Sequence, residues 1–427
     1  MAHVAIVGAG ITGITTAYAL LNCGHRVTVF ERQRYAAMET SFGNGGQLSA
    51  SNAEVWNHPS TLAKGLAWLF RSNAPLQLNP RPSWHKYSWL AEFVAQVPNY
   101  RNNTITTVRL ALEARRQLLA IAEREGIDFD LERRGILHIY RDRRGFDHAS
   151  SVNSLLQQGG LERHPVTPQE MKAIEPAING AFYGGFYTPS DLTGDIHKFT
   201  RQLAAACERR GMRLCCDATV DSVAASFNGV TLKWRTSGDD DSTTTFADAV
   251  VICAGVASRR FAAMLGDRIN IYPVKGYSIT IELADAASRD AAPHVSLLDD
   301  ETKIVSSRLG PGRFRVAGTA EFNGYNRDIR DVRVNPLIAW TRQLFPFVST
   351  ERVVPWAGLR PMTPSMLPRV GAGRKPCVFY NTGHGHLGWT LSAATATIIA
   401  NTVETHLRAT IPPRAASFVS QTSQQIH

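Results

Sequence analysis

Three glycines near the start constrain this chain more than any other feature. Val4 to Val7 is a short, β-branched apolar run, the pattern of a strand buried on both faces. Gly8, Gly10 and Gly13 follow as G-x-G-x-x-G. Ile14 to Leu21 presents an apolar helix face, Cys23-Gly24-His25 reads as a turn, and Val27 to Phe30 as a second strand. Glu31 closes that strand, 18 residues after Gly13. Gly8 permits a tight turn, Gly10 lets a pyrophosphate lie against N–H groups at a helix N-terminus, and Gly13 lets helix and strand pack closely. A carboxylate at Glu31 can accept both hydroxyls of an adenosine ribose. That favours an unphosphorylated ribose, hence FAD or NAD over NADP.

A length of 427 residues, with 44% hydrophobic and 19% charged, suits one large two-lobed unit or two domains with real cores. The net charge of +10 comes from scattered lysines and arginines without a nucleic-acid motif, so no nucleic-acid partner is expected. A solvated basic surface, attraction to an anionic membrane face and attraction to acidic substrates stay open. None of the six cysteines forms C-x-x-C or a zinc spacing, so reduced thiols, a cytoplasmic-type compartment and no metal are expected. The first strand leaves no room for a signal peptide, and no run of about 18 apolar residues appears. Any membrane contact is therefore expected to be peripheral, on the cytoplasmic side of the inner membrane.

Further along, Ser41 to Ser49 is a small, polar, glycine-rich loop suited to lying against a flat ring. Residues 55–100 carry Trp56, Trp68, Trp84 and Trp89, expected in core or inter-domain packing. Helical periodicity marks 106–126, 150–159, 167–174, 197–210 and 335–345, and strand patterns mark 135–140, 181–187, 213–216 and 218–225. The acidic run Gly238 to Asp241 reads as a hairpin tip. Ala249 to Gly255 is a second fully apolar strand running into glycine, as a strand beside the first one would. Alternating segments over 272–281, 303–307 and 313–318 predict an antiparallel sheet. A proline-bracketed stretch, Trp356 to Pro364, precedes a last strand at 378–381, the loop Gly383 to Trp389 and a closing helix.

The fold class expected is α/β: a Rossmann-like dinucleotide-binding domain interleaved with an α+β substrate domain on an antiparallel sheet. The expected boundaries give residues 1–54, 191–270 and 355–405 to the dinucleotide domain. Residues 55–190 and 271–354 go to the substrate domain, and 406–427 to a polar tail. The functional site is expected at their junction.

In order along the chain, the opening motif with Glu31-Arg32, SFGNGGQ, VICAG, YPVKGYSITI, GLRPMTP and NTGHGHLGWT resemble the FAD-dependent D-amino acid dehydrogenases of small-subunit type. These belong to the D-amino acid oxidase/sarcosine oxidase flavoprotein superfamily. The resemblance covers nearly the whole chain. It implies FAD, an amino acid substrate, oxidation to an imino acid, and a quinone or other non-oxygen electron acceptor. It also implies cofactor contacts from Gly8, Ala9, Gly10, Ile11, Thr12 and Gly13, from Glu31 and Arg32, and from the loop residues Ser41, Asn44, Gly45, Gly46, Gln47 and Leu48. Val220, Ala254 and Gly255, and, on the C-terminal side, Arg360, Gly383, Gly385, His386, Leu387 and Gly388, complete that set. Two stretches depart from the family pattern: Asn52 stands about where a tyrosine falls, and Ser365-Met366 follows Thr363-Pro364.

Oxidising an α-amino acid needs a fixed cation for the carboxylate, an α-hydrogen facing the acceptor and an unprotonated amine. Arg360, in a stiff Gly-Leu-Arg-Pro stretch, is the expected carboxylate anchor because a guanidinium grips carboxylate bidentately. Tyr277 is a second candidate, donating its hydroxyl to carboxylate or amine, and Tyr325 a third. His384 and His386 make a poor metal site; their backbone is expected beside the flavin pyrimidine end, near a helix N-terminus, with one ring available as a base. The alternatives are a D-hydroxyproline or D-proline type of dehydrogenase, a glycine/sarcosine-type oxidase, for which Cys377 is the one C-terminal cysteine, and a non-catalytic flavoprotein that relays electrons.

Overall fold

The computed structural model describes residues 1–61, 75–238 and 241–410. Trp68, two aspartates of the expected hairpin tip and the tail from Pro412 lie outside these residues.

The opening apolar run pairs on both sides, as a strand with no polar face must. His3–Val7 lies between Arg26–Phe30 and Ala249–Ile252, all parallel. Val378–Thr382 continues the sheet in parallel beside Ala249–Ile252, Arg213–Cys215 extends it beside Arg26–Phe30, and antiparallel Arg369–Ala372 closes it into six strands. The helix Ile11–Asn22 packs on this sheet against the final helix, Gly388–Thr410. Ala218–Ser226, Gly229–Thr236 and Thr243–Ala247 form a separate three-stranded meander.

A nine-stranded sheet forms the second layer. Its edge is Val353–Met362, followed by Tyr272–Glu282, Arg313–Phe322, Ile304–Arg308 and Ser296–Asp299, then Ile136–Tyr140, Gly184–Thr188 and His164–Val166, while Leu76–Leu78 pairs with Arg313–Phe322. The pairing is antiparallel apart from two parallel contacts, Ser296–Asp299 with Ile136–Tyr140 and Leu76–Leu78 with Arg313–Phe322. Pro355 and Pro361 sit in the edge strand, where a missing N–H costs least.

The tryptophans do not share one fate. Trp89 is core, its indole donating to the Met362 carbonyl at 2.8 Å. Trp84 is 85% exposed, against the packing expected of it. Trp56 stacks on His386, ring centroids 4.8 Å apart. Cys207, Cys253 and Cys377 are buried, Cys23 is exposed, and all six cysteines are free.

Candidate active site

A cavity of about 680 Å³ runs between the two sheets, from Glu31 and Val220 to Arg360, Tyr325 and Trp56. Its nucleotide end is set by the glycines. A Cβ at Gly8 would lie 2.7 Å from the Cys253 carbonyl oxygen, and one at Gly13 would overlap the Gly8 carbonyl. At Gly10 the only atom near a Cβ is Ser41 Oγ at 3.5 Å, which leaves a cradle against the backbone. Both oxygens of Glu31 are held by backbone amides, Oε2 by Ala9 at 2.7 Å and Oε1 by Gln33 at 3.0 Å. Burial raises the Glu31 pKa against the pull of those amides. Each oxygen keeps a lone pair for a ribose hydroxyl. Arg32 lines the cavity but its guanidinium is taken up by Glu39 at 2.5 Å. Ser41 Oγ accepts from the Ile11 amide at 3.0 Å, Thr12 lines the wall, and Ala254 and Gly255 follow the central strand into it.

The glycine-rich loop is fixed by the larger sheet. A Cβ at Gly43 would meet the Trp356 ring at 2.6 Å, and one at Gly45 would meet Val305 Cγ2 at 2.6 Å. Ser278 donates to the Gly43 carbonyl at 2.8 Å and Ser307 to the Gly45 carbonyl at 2.7 Å. Asn44 Oδ1 accepts from the Gly46 amide, and Gly46 takes φ 73°. Gln47 and Leu48 pair with Thr193 and Leu192, and Gln47 donates to the Leu297 carbonyl. The glycines thus answer to the approach of two layers as well as to any flat ring.

Arg360 lines the opposite end. Its Nη1 donates to the Thr319 carbonyl at 2.9 Å, and among the described residues no carboxylate lies within ion-pair distance. Burial draws its pKa down to about 10, so it stays charged at neutral pH. The guanidinium lies over Gly276 on the neighbouring strand, where any side chain would collide with it. Trp356, Gly358 and Arg360 alternate onto one face, as strand period requires.

Tyr277 also borders the cavity, but strand period turns its ring toward the far side of the sheet. The Tyr277 ring packs with Ile279 and Ile281, while Gly276 lies under the Arg360 guanidinium. Its hydroxyl donates to Glu321 Oε2 at 2.9 Å, and Glu321 also pairs with Arg330 at 2.7 Å. Burial pushes the Tyr277 pKa up to about 12. Tyr325, 53% exposed, lines the mouth instead.

The two histidines separate. His384 is buried with Nε2 3.0 Å from Thr395 Oγ1, and burial pulls its pKa down to about 3. His386 faces the cavity with both ring nitrogens buried, and the Asn52 backbone is the polar group beside it. Burial first, and the Arg360 charge second, bring its pKa down to about 4, partly opposed by the Asn52 backbone. Gly383 and Gly385 take φ 78° and 59°, the Gly385 amide donates to the Pro361 carbonyl at 3.0 Å, and Leu387 and Gly388 lead into the final helix. Cys377 does not line the cavity; Cys253 does, with its thiol pushed up to about 12 by burial.

One wall escapes motif reading. Along 51–58 burial alternates: Ser51, Ala53, Val55 and Asn57 are buried, while Asn52, Glu54, Trp56 and His58 are part-exposed. Asp191 anchors its start, accepting from the Ala50 and Ser51 amides and from Arg115 at 2.7 Å. The period of two, small and apolar against large and polar, is visible in Ser-Asn-Ala-Glu-Val-Trp-Asn-His and is the signal that finds it.

Residues 3–402 match the model of the FAD dependent oxidoreductase family, DAO. The chain belongs to this family. Among curated members, the chain is 63% identical to D-amino acid dehydrogenase 3 of Mesorhizobium japonicum, over 95% of this chain and 98% of that one. It is 42% identical to D-amino acid dehydrogenase of Paramagnetospirillum magneticum, over 94% of both. Among solved structures, glycine oxidase from Geobacillus kaustophilus shares the fold with TM-score 0.72 and 23% identity, over 95% of each chain. The L-proline dehydrogenase from P. horikoshii does so with TM-score 0.72 and 16% identity, over 95% of this chain and 93% of that one. The family's cofactor fits the residues present: the Gly10 cradle, the two-handed Glu31 and the elongated cavity suit FAD.

Proposed function

We propose that the chain is an FAD-dependent dehydrogenase that oxidises a D-amino acid to its imino acid, which water converts to a 2-oxo acid and ammonia. The observation that carries this reading is Arg360, a cation with no carboxylate of its own, facing the cavity that starts at the dinucleotide motif. The 63% and 42% identical relatives, both D-amino acid dehydrogenases by name, support the D-configuration.

FAD, when bound, supplies a two-electron acceptor at the ring. Arg360 takes the substrate carboxylate in a bidentate grip and so fixes the rotation of the α-carbon. His386, kept neutral by burial, offers a ring nitrogen as a hydrogen-bond acceptor to the substrate amine beside that grip, and the amine proton leaves to water. Trp56 backs His386, and Tyr325 stands at the mouth to restrict water. The reaction removes a hydride from carbon and a proton from nitrogen. A quinone or other non-oxygen acceptor then takes the electrons, and the net charge of +10 supports a peripheral contact with an anionic membrane on its cytoplasmic side. Among the described residues no helix is long and apolar enough to cross a membrane.

Anaerobic mixing of the purified flavoprotein with a panel of D- and L-amino acids tests this. D-amino acids should bleach the flavin while their L-enantiomers leave it yellow, and a dye or quinone should restore the colour without peroxide. A flavin that no D-amino acid bleaches removes the proposal.

A further inference from the structure

Glu54 stands on the cavity wall with one carboxylate oxygen engaged. Oε1 accepts from the Tyr100 hydroxyl at 2.7 Å, and among the described residues no other hydrogen bond reaches the carboxylate. Among the described residues no lysine, arginine or histidine lies within ion-pair distance of it. Lys303, which feels its charge, is held by Asp300 at 2.5 Å. Arg163, also on the lining, is committed to the Tyr140 hydroxyl at 2.8 Å and lies over the Phe186 ring. The Glu54 carboxylate is therefore a fixed acceptor with lone pairs to spare inside a cavity, which a charged group tolerates only with a partner or water.

Its place in the fold matters as much. Glu54 shares a face with Trp56, which stacks on His386, and His386 is close enough to Arg360 for that charge to lower its pKa. Glu54, Trp56, His386 and Arg360 thus line one cavity, so a substrate held at Arg360 by its carboxylate has Trp56 and Glu54 on the wall open to its side chain.

On the reading of this site as that of a D-amino acid dehydrogenase, we infer that Glu54 selects substrates whose side chain ends in a hydrogen-bond donor. An ammonium, a guanidinium and a hydroxyl share that chemistry. Tyr100 aims the carboxylate, and Trp56 supplies an apolar face for the stem. An apolar side chain of equal length leaves Glu54 desolvated without a donor, and sites of this kind discriminate strongly against such analogues.

The holoenzyme is assayed anaerobically for kcat/KM of flavin reduction with D-lysine and D-arginine against D-norleucine, and with D-hydroxyproline against D-proline. Donor-ended substrates should lead their apolar counterparts by about tenfold or more. Whichever of the two pairs shows the lead identifies a cationic or a hydroxyl terminus. Glu54→Leu, which removes the acceptor, should erase most of that lead without slowing D-norleucine or D-proline to the same degree, and Glu54→Gln, which keeps an acceptor without charge, should spare a hydroxyl lead and reduce a cationic one. Tyr100→Phe should shrink it partway. Binding of unreactive 5-aminopentanoate against pentanoate, read from the flavin spectrum, gives the same ranking without turnover and needs no variant. Equal wild-type rates for both members of each pair, or a Glu54→Leu variant that slows all substrates alike, overturn the inference and leave the dehydrogenase reading standing. A wild-type flavin reduced by no D-amino acid overturns both.

Discussion

A single methyl group at Gly276 should disable substrate binding without unfolding the chain. Gly276 pairs across the sheet with Gly358, and the Arg360 guanidinium lies flat over it. A Cβ built there overlaps the guanidinium carbon and both terminal nitrogens, the farthest of which, Nη1, is only 2.5 Å away. Ordinary contact needs about 3.5 Å, so the group must retreat by about 1 Å. What moves is the far end of a flexible side chain with one recorded hydrogen bond, to the Thr319 carbonyl. Losing that bond costs about 1 kcal/mol. Gly276 does not take a positive φ, so alanine adds no backbone strain, and in a strand it offsets part of the loss. Stability should therefore change by less than about 1 kcal/mol, a shift of a few degrees at most for a chain of this size. Catalysis should suffer far more, because a displacement of about 1 Å in a positioning group costs on the order of 100-fold. The assay is stopped-flow flavin reduction across D-amino acid concentrations beside a thermal melt. A variant that melts normally and saturates with substrate as the wild type does would refute the placement of Arg360 as the carboxylate anchor.

Four further outcomes follow from the same geometry. Arg360→Ala should cost about 2–5 kcal/mol in kcat/KM for flavin reduction, the scale for removing one partner of a desolvated charge pair, with FAD content unchanged. Tyr277→Phe should leave kcat/KM within about threefold but destabilise the fold by about 1–3 kcal/mol in chemical denaturation, because Glu321 loses a buried donor. Glu31→Ala frees the Ala9 and Gln33 amides and should yield colourless protein after gel filtration, measured by flavin absorbance. Acid should destabilise the chain through His384 and His386, whose folded pKa values of about 3 and about 4 lie below the unfolded value of 6.5. Their stabilising contribution is full above pH 6.5 and falls as pH drops toward the folded pKa values, by about 2 kcal/mol for each at pH 5. His384→Asn should flatten that slope in melts between pH 7 and pH 5.

The opening strand, its glycines and Glu31 were legible because each answers to a local rule: a β-branched run, a turn, an acid at fixed spacing. The glycines of the 43–46 loop were legible as glycines but not for the reason that holds them. Trp356 and Val305, more than 250 residues away in sequence, occupy the space where their side chains would be, and no local pattern reports a neighbour from another layer. Gly276 was hidden for the same reason. Within Lys-Gly-Tyr the tyrosine carries the visible chemistry, yet strand alternation turns its ring into the core and lays the glycine under the Arg360 guanidinium. His384 and His386 differ by two residues and read alike, but a turn through two positive-φ glycines sends one to Thr395 and the other to Trp56.

That contrast bears on how a site of this kind divides its labour. The cofactor end is built from backbone, so its residues are dictated by φ, ψ and close approach, and they announce themselves in sequence as motif. The substrate end is built from side chains that reach across from three separate segments: 51–58, the 356–360 strand and the 384–388 loop. There the meaning of a residue depends on parity along a strand and on which layer lies opposite. Asn52 and Glu54 line the cavity beside Trp56, so a change at either alters what the wall offers a side chain and leaves Arg360 and the glycine cradle untouched. A chain can therefore keep the chemistry of its relatives and take a different amino acid, and the alternation along 51–58 is where that divergence should be sought first.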